Sequence, residues 1–393
     1  MDLRIGIIGF GMRGTELTRE AHRPGSGSHV AAVCEVSERG RAAAASAYPD
    51  ALITADLDEL LAHDLDAAMV FTPDDMHART VIPALDAGLA VFSEKPLATS
   101  IADCDAILEA AHRNKSRLYV GHNMRHMPVV TLMRDIIARG TIGEVKAVWC
   151  RHFVGHGGDY YFKDWHAERS KSVGMLLQKG AHDIDVIHWL AGRYTTQVQA
   201  MGELAVYGDV TDRRDRSGEL MGDWFSVDNW PPTAQTGLNP VIDIEDISQV
   251  NMRLGGGVLA SYEQCHFTPD YWRNYTVIGT HGRLENFGDE SGSEVGVWTH
   301  RLRGSGSPDE THVVPDAAGG HGGADALMIE EFLRFAREGG PTTTSPVAAR
   351  NAVATGVVAT QSLRGRGETL AIPPIDADIA AYFDADHSVR TAP

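Results

Sequence analysis

Leu3-Arg4-Ile5-Gly6-Ile7-Ile8-Gly9-Phe10-Gly11-Met12-Arg13-Gly14 is the stretch whose reading decides the fold. Leu3, Ile5, Ile7 and Ile8 form an apolar run, and the three glycines after it are spaced for a strand-to-helix turn. In such a turn the first glycine bends the chain, the second admits a pyrophosphate, and the third lets the next helix lie close to the strand. That helix, expected from Met12 to about Arg23, would present free N–H groups to phosphate. A second apolar run, His29 to Cys34, ends in Glu35, which lies 35 − 14 = 21 residues beyond Gly14. A carboxylate roughly 20 residues past the glycines meets the adenosine ribose hydroxyls. It would repel a 2′-phosphate, so the expected cofactor is NAD rather than NADP. Gly9, Phe10, Gly11, Met12, Arg13 and Glu35 are the first cofactor-binding candidates. The competing reading is an ordinary glycine-rich turn with Glu35 solvated, and the coincidence of strand, turn, helix and acid argues against it.

A chain of 393 residues is long for one domain and suggests two. Acidic residues outnumber basic ones 53 to 35, giving a net charge of −18, which disfavours nucleic acid and anionic membranes as partners. The opening residues lack a basic segment followed by a long apolar one, and no stretch has the length to span a bilayer, so a cytoplasmic location is expected. Cys34, Cys104, Cys150 and Cys265 are scattered, with no metal-binding or disulfide spacing, and no metal is expected.

Working outward, short apolar runs at 3–8, 30–34, 67–71, 90–92 and 118–120 alternate with helical patterns near 39–48, 57–62, 78–87 and 101–114. That alternation predicts an α/β domain with a parallel sheet over residues 1–123. From 124 to 370 the pattern becomes α+β. A helix at 128–139 precedes strands at 145–153, 197–207, 247–254, 258–266 and 275–279, expected in a mostly antiparallel sheet. Residues 209–239 and 288–323 read as irregular loops, with helices at 326–337 and 347–363 after them. The tail, 371–393, is expected to be extended or loosely docked.

In an open parallel sheet the cofactor lies at the carboxyl ends of the strands. The third strand ends in Thr72-Pro73-Asp74-Asp75-Met76-His77, and Thr72, Pro73 and His77 are candidates there, although the segment also reads as a Pro-Asp turn. The next strand ends in Glu94-Lys95-Pro96, placing Glu94 and Lys95 at the cofactor, with Lys95 also where it could hold or deprotonate a substrate hydroxyl. In Gly174 to Leu190, helical spacing puts Gln178, His182 and Asp185 on one face, with His182 a natural proton acceptor.

Gly9 to Gly14, Glu94-Lys95-Pro96, Asn123 with Arg125, and the His182 to Asp185 helix together resemble the glucose-fructose oxidoreductase and inositol dehydrogenase family (Gfo/Idh/MocA). The resemblance reaches to about Leu363. It implies an N-terminal Rossmann domain, a C-terminal domain with a large open sheet, a nicotinamide cofactor, sugar or polyol substrates, and pairing of the sheet face in a homodimer or homotetramer. It matches Lys95 and His182 to the family's catalytic lysine and histidine, and it sets Asn123 and Trp165 at the cofactor. One departure stands out. The family often has aspartate four residues before the histidine, whereas this chain has Gln178 with Lys179 beside it. Glutamine cannot shuttle a proton, so the relay would fall to His182 and Lys95, or to Lys179.

Arg151, Lys163, Arg169 and Lys171 are a basic cluster in an acidic chain, either solvated or a clamp for an anionic sugar group. Arg125, His266, Tyr271 and His321 complete the substrate-binding candidates. The favoured reading is an NAD-dependent oxidoreductase acting on a ring hydroxyl of a sugar, glycoside or polyol. The alternative is a redox-neutral glycoside hydrolase that oxidises the sugar transiently, with Tyr161, His266 and His321 as extra acid and base.

Overall fold

β1 (Leu3–Ile8) is apolar on both faces because helices cover both sides of its sheet. After it come α1 (Met12–His22), β2 (Ser28–Cys34), α2 (Glu38–Ala47), β3 (Leu52–Thr54), α3 (Leu57–Leu61) and β4 (Ala67–Val70). Then follow α4 (His77–Asp86), β5 (Ala90–Ser93), α5 (Ile101–Asn114) and β6 (Leu118–Val120). The computed structural model describes residues 2–301, 306–317 and 319–387. The six strands are all parallel, in the order β3-β2-β1-β4-β5-β6. Strand order reverses between β1 and β4, which makes the glycine-rich turn after β1 the switch point where such sheets bind ligands.

Next in the chain are α6 (Pro128–Ala138), β7 (Val145–Phe153), α7 (Gly157–Tyr161), α8 (Arg169–Ser172), α9 (Met175–Gln178) and α10 (Gly180–Ala191). They lead into β8 (Thr195–Glu203), β9 (Ile247–Leu254), β10 (Leu259–Cys265), β11 (Trp272–Gly279), β12 (Arg283–Phe287), β13 (Glu294–Trp298) and β14 (Glu310–Val313). The chain ends in α11 (Ala324–Glu338), α12 (Pro346–Arg364), β15 (Leu370–Ala371) and α13 (Ala377–His387). The second sheet has nine strands, ordered β14-β13-β12-β11-β7-β10-β9-β8-β15. It is antiparallel except for the β7–β10 pair, so it is mixed at its centre.

The chain divides into two compact units. Of the described residues, the first unit joins 2–126 with 319–353 and 375–387, and the second holds 127–317 and 354–374. In the first unit α11 buries Met328, Ile329, Phe332, Leu333 and Phe335 against Ile5, Phe92 and Tyr119. In the second, β7, β9 and β10 alternate buried and outward residues with period two, so one sheet face packs on helices and the other is open.

Three expectations change. The irregular stretch expected at 288–323 contains β13 and β14, with Val295 and Val297 fully buried. The tail, expected to be extended or loosely docked, is not extended over Ala377–His387 but forms α13, which packs on α5. The single helical face expected to carry Gln178 and His182 is interrupted, because α9 ends at Gln178 and Lys179 caps a separate α10.

Candidate active site

The turn after β1 is built for close approach. Gly9 has φ 89°, and a Cβ there would lie 2.9 Å from the Phe71 backbone. A Cβ on Gly14 would lie 2.5 Å from the Gly9 carbonyl oxygen. Whereas α2 and α5 are capped by Ser37 and Ser100, α1 has no side-chain cap and no acidic residue in its first turn. Its amino-terminal N–H groups and positive dipole end therefore suit a pyrophosphate. Glu35 stands beside them: Oε2 accepts from Phe10 N at 2.7 Å and Oε1 from Ser37 N at 2.7 Å. A carboxylate has about four acceptor positions, so two are left for ribose hydroxyls. The turn, the uncapped helix and this acid fit an adenine dinucleotide. Gly14→Ala should weaken NADH binding at least tenfold, because the clash of about 1–3 kcal/mol falls on the phosphate turn. Titration of protein fluorescence with NADH checks this, and unchanged affinity would refute the assigned turn.

At the ends of β5 and β6 one hydrogen-bonded chain holds the Glu94–Lys95 loop. Glu94 Oε2 accepts from the Lys95 backbone N–H at 2.6 Å, and Oε1 accepts from Arg13 Nε at 2.7 Å. Arg13 then donates both terminal nitrogens to Asp325, each at 2.8 Å. Asp325 also accepts from Asn123 Nδ2 at 3.0 Å and lies 2.9 Å from His321 Nδ1. Burial alone would raise the Asp325 carboxyl, but Arg13 and His321 outweigh it and hold the group well below the usual carboxylate range. Asp325, which could have been the cap of the helix after it, is instead the hub of this network, and Gly323 occupies the cap. Arg13 is thus a brace for the lysine loop, and His321 is half-exposed above it. Asn123 Oδ1 is buried without a partner among the described residues and can accept from a ligand. His77 directs its two ring nitrogens at the carbonyls of Pro96 and Thr72, stapling the two loops, while Pro73 is exposed. Arg125 donates to the Thr343 carbonyl at 2.8 Å.

The second unit carries a buried ionic centre. Inner-face positions of three adjacent strands, Arg273 and Tyr275 on β11, Cys150 and His152 on β7, and Tyr262 on β10, surround Asp183 of α10. Asp183 is fully buried and receives Tyr275 Oη, Tyr262 Oη at 3.0 Å and His152 Nδ1 at 2.9 Å, with Arg273 Nε 2.9 Å away. Burial would raise its carboxyl, yet Arg273 and His152 keep it well below the ordinary range. His152 Nε2 faces Arg273 at 3.2 Å, so His152 is neutral and donates from Nδ1. Burial and Arg273 together push its pKa down to about 3.

Around this centre lie the proton-handling candidates of the second unit. His182 is buried in the first turn of α10, and Gln178 is buried at the end of α9. Lys179, between them, has its ammonium 5.8 Å from the centre of the Tyr161 ring. The His266 ring meets the same Tyr161 ring edge-on at 5.6 Å, and Tyr271 packs on His152 and Arg273. Burial, reinforced by Arg273, brings the Lys179 ammonium down to about 8. Burial also drives the His266 imidazole well below its ordinary value.

The basic cluster does not converge. Lys163 is buried and ion-paired with Asp159 at 2.6 Å, where Asn229 and Gln235 also bind and pin the long 209–239 loop. Arg151 sits on the outward face of β7, opposite His152, and bonds Asn274 at 3.1 Å. Arg169 and Lys171 are exposed on α8, with Arg169 on the Asp243 carbonyl at 2.8 Å. Trp165 is partly buried and stacks on His166 at 3.7 Å. Sequence reasoning missed Asp183, Arg273, His152 and Asp325. A charged residue among the apolar positions of 181–190 was the available signal for Asp183. Among the described residues no group of three or more His, Cys, Asp or Glu could hold a metal, and no helix is long and apolar enough to cross a membrane.

Comparison with known proteins matches the chain to two successive family profiles. Residues 3–122 match the profile described as "Oxidoreductase family, NAD-binding Rossmann fold", and residues 134–372 match "Oxidoreductase family, C-terminal alpha/beta domain". YteT of Bacillus subtilis (strain 168), a provisionally named oxidoreductase, is 26% identical over 309 residues, 68% of this chain and 72% of that protein. Inositol 2-dehydrogenase of Gluconacetobacter diazotrophicus is 35% identical over 200 residues, 50% of this chain and 57% of that enzyme. The chain therefore aligns with little more than half the length of that enzyme. In fold, levoglucosan dehydrogenase, solved in complex with NADH and levoglucosan, superposes with a TM-score of 0.77 at 20% identity, over 95% of this chain and 100% of that one. An oxidoreductase domain protein from Kribbella flavida gives the same TM-score, identity and coverage.

Proposed function

The chain belongs to the glucose-fructose oxidoreductase and inositol dehydrogenase (Gfo/Idh/MocA) family of NAD-binding oxidoreductases, and from that premise we propose that it oxidises a ring hydroxyl of a sugar, glycoside or polyol. Lys95 and His182 are the proton-handling pair. The observation that carries this reading is the Glu94–Lys95 loop, which Arg13 and Asp325 brace beside a turn shaped for a dinucleotide. Nicotinamide, when bound, supplies the hydride acceptor. The protein's own part is to take the hydroxyl proton: Lys95 Nζ holds the hydroxyl oxygen, and the His182 imidazole accepts the proton as the carbonyl forms. Because Glu94 is occupied by Arg13 and by the Lys95 backbone, it orients the lysine and leaves proton transfer to others. Gln178 can only donate to or accept from the sugar, so an aspartate relay is absent at that position.

Incubating the purified protein with NAD and a panel of cyclic polyols, monosaccharides and methyl glycosides tests the reading. Net NADH formation with at least one of them is expected. A second reading is favoured by one specific observation, the cluster of Lys179, His266 and Tyr161 around α9 and α10. It is redox-neutral glycoside hydrolysis through a transient ketone, and sugar release over many turnovers without NADH would select it. The half-exposed Trp149 and Leu259 on the open sheet face support a homodimer or homotetramer, and the acidic surface with free cysteines supports a cytoplasmic setting.

A further inference from the structure

We propose that α7 and the 209–239 segment form a second sugar-binding subsite, in which Tyr160, Phe225 and His156 hold the ring joined to the one that is oxidised. This names the substrate class, a disaccharide, and rests on the oxidoreductase reading.

Three observations within the second unit carry it. The first is a group of rings gathered at the surface. The Phe225 ring lies 5.1 Å from that of Tyr160 and 5.6 Å from that of His156, with the planes inclined by 47° and 58°. Tyr160 and Phe225 are each 36% exposed, whereas Tyr207, Val210, Leu238 and Ile244 close into a small core with Phe162 and Met175. The two exposed rings take no part in that core. Inclined aromatic faces suit the C–H face of a pyranose, whose hydrogens meet the negative π surface, and a neutral imidazole edge brings a donor and an acceptor for its hydroxyls. Aromatic walls with a few polar groups are the usual lining of a small-molecule site. A stable protein interface covers about 1,000 Å² or more, far beyond three rings.

The second observation is that the shelf is fixed in advance. β8 and β9 are antiparallel neighbours, which a two-residue turn can join, yet residues 204–246 lie between them. This long connection is pinned to α7 from inside. Asp159, 1% exposed, accepts from Lys163 Nζ at 2.6 Å, Asn229 Nδ2 at 2.8 Å and Gln235 Nε2 at 2.9 Å, and its backbone carbonyl accepts from Trp224 Nε1 at 3.1 Å. Gly158 admits this approach, since a Cβ there would lie 2.9 Å from Gln235 Nε2. Tyr160 directly follows Asp159, and Phe225 directly follows Trp224. The bond between the two anchors therefore sets one ring against the other, and little ordering is left to oppose binding.

The third observation is continuity. The Tyr161 ring lies 5.9 Å from that of Tyr160 and 5.8 Å from the Lys179 ammonium, and Lys179 precedes His182 by three residues. The shelf thus begins one ring beyond the proton-handling candidates of this unit, where the second ring of a disaccharide follows the first.

Matched substrates test it. Methyl glucoside with maltose and cellobiose, and methyl galactoside with lactose, are compared by kcat/KM with NAD, and saturation-transfer NMR on the protein with NADH records which sugar rings approach it. At least one disaccharide is expected to exceed its methyl glycoside about tenfold, the scale of one aromatic stacking contact. Phe225→Ala and Tyr160→Ala should each remove most of that ratio, and Phe225→Tyr should keep it. Saturation should reach both rings of the disaccharide in the wild type and weaken at the second ring in Phe225→Ala. A wild type that oxidises methyl glycosides but prefers no disaccharide overturns the proposal, as does a ratio that Phe225→Ala leaves unchanged. A wild type that oxidises no sugar instead removes the oxidoreductase reading. The subsite is then judged by NMR, where no disaccharide binding, or second-ring saturation undiminished in Phe225→Ala, overturns it.

Discussion

Lys95→Met is expected to lower kcat by about a hundredfold to ten-thousandfold, the range that loss of a positioned acid–base group usually costs. NADH affinity should stay within about threefold, because in the proposed reaction the lysine meets the reacting hydroxyl, whereas the uncapped start of α1 is the proposed phosphate site. Binding and turnover thus separate, as expected when an interaction made chiefly in the transition state is removed. His182→Asn should show the same split. The proposed role of both groups in moving one proton predicts that the double variant loses little more than either single variant. Steady-state kinetics beside fluorescence titration check this. A Lys95→Met protein with near-normal kcat would show that the lysine only binds.

The second large effect concerns stability. Asp183 sits with no exposure among Arg273, His152, Tyr262 and Tyr275. Asp183→Ala would leave the buried Arg273 guanidinium with Asp289 as its remaining carboxylate partner among the described residues. Removing one partner of a buried ion pair costs roughly 3–5 kcal/mol, which lowers the melting temperature of a domain this size by about 10 °C or more. By contrast, the exposed Lys146–Glu144 pair is worth about 0–1 kcal/mol, and Lys146→Ala should be nearly silent. The sign with pH follows from the depressed carboxyl. The contribution of Asp183 is present above the ordinary carboxylate pKa and is lost only as pH falls toward its much lower folded value. Calorimetry of both variants at pH 7 separates these cases, and equal melting temperatures would refute the assigned role of the buried centre.

How legible the site was differs between the two units. The glycine turn, Glu35 and the Glu94–Lys95 loop could be read because a doubly wound sheet brings the ends of its strands together by rule. The bond between Arg13 and Asp325 could not, because it joins residues 312 apart and depends on where α11 docks. β13 and β14 were hidden because the glycines and serines around them read as loop, while Val295 and Val297 pack only once β12 is alongside. Alternation along single strands puts Cys150 with His152, and Arg273 with Tyr275, on one face. That β11, β7 and β10 are neighbours is a matter of topology, and without it their convergence on Asp183 has no sequence signal. The basic run from Lys163 to Lys171 suggested an anion site, but Asp159, four residues before Lys163, takes its charge.

The most direct test of the central claim is isotope transfer. A cyclic polyol that the protein oxidises, carrying deuterium on the reacting ring carbon, is incubated with NAD, and the recovered NADH is analysed by NMR. The account predicts deuterium at C4 of the nicotinamide and a ring ketone in equal amount. Bound NAD that acquires no deuterium from any cyclic polyol or sugar would contradict it.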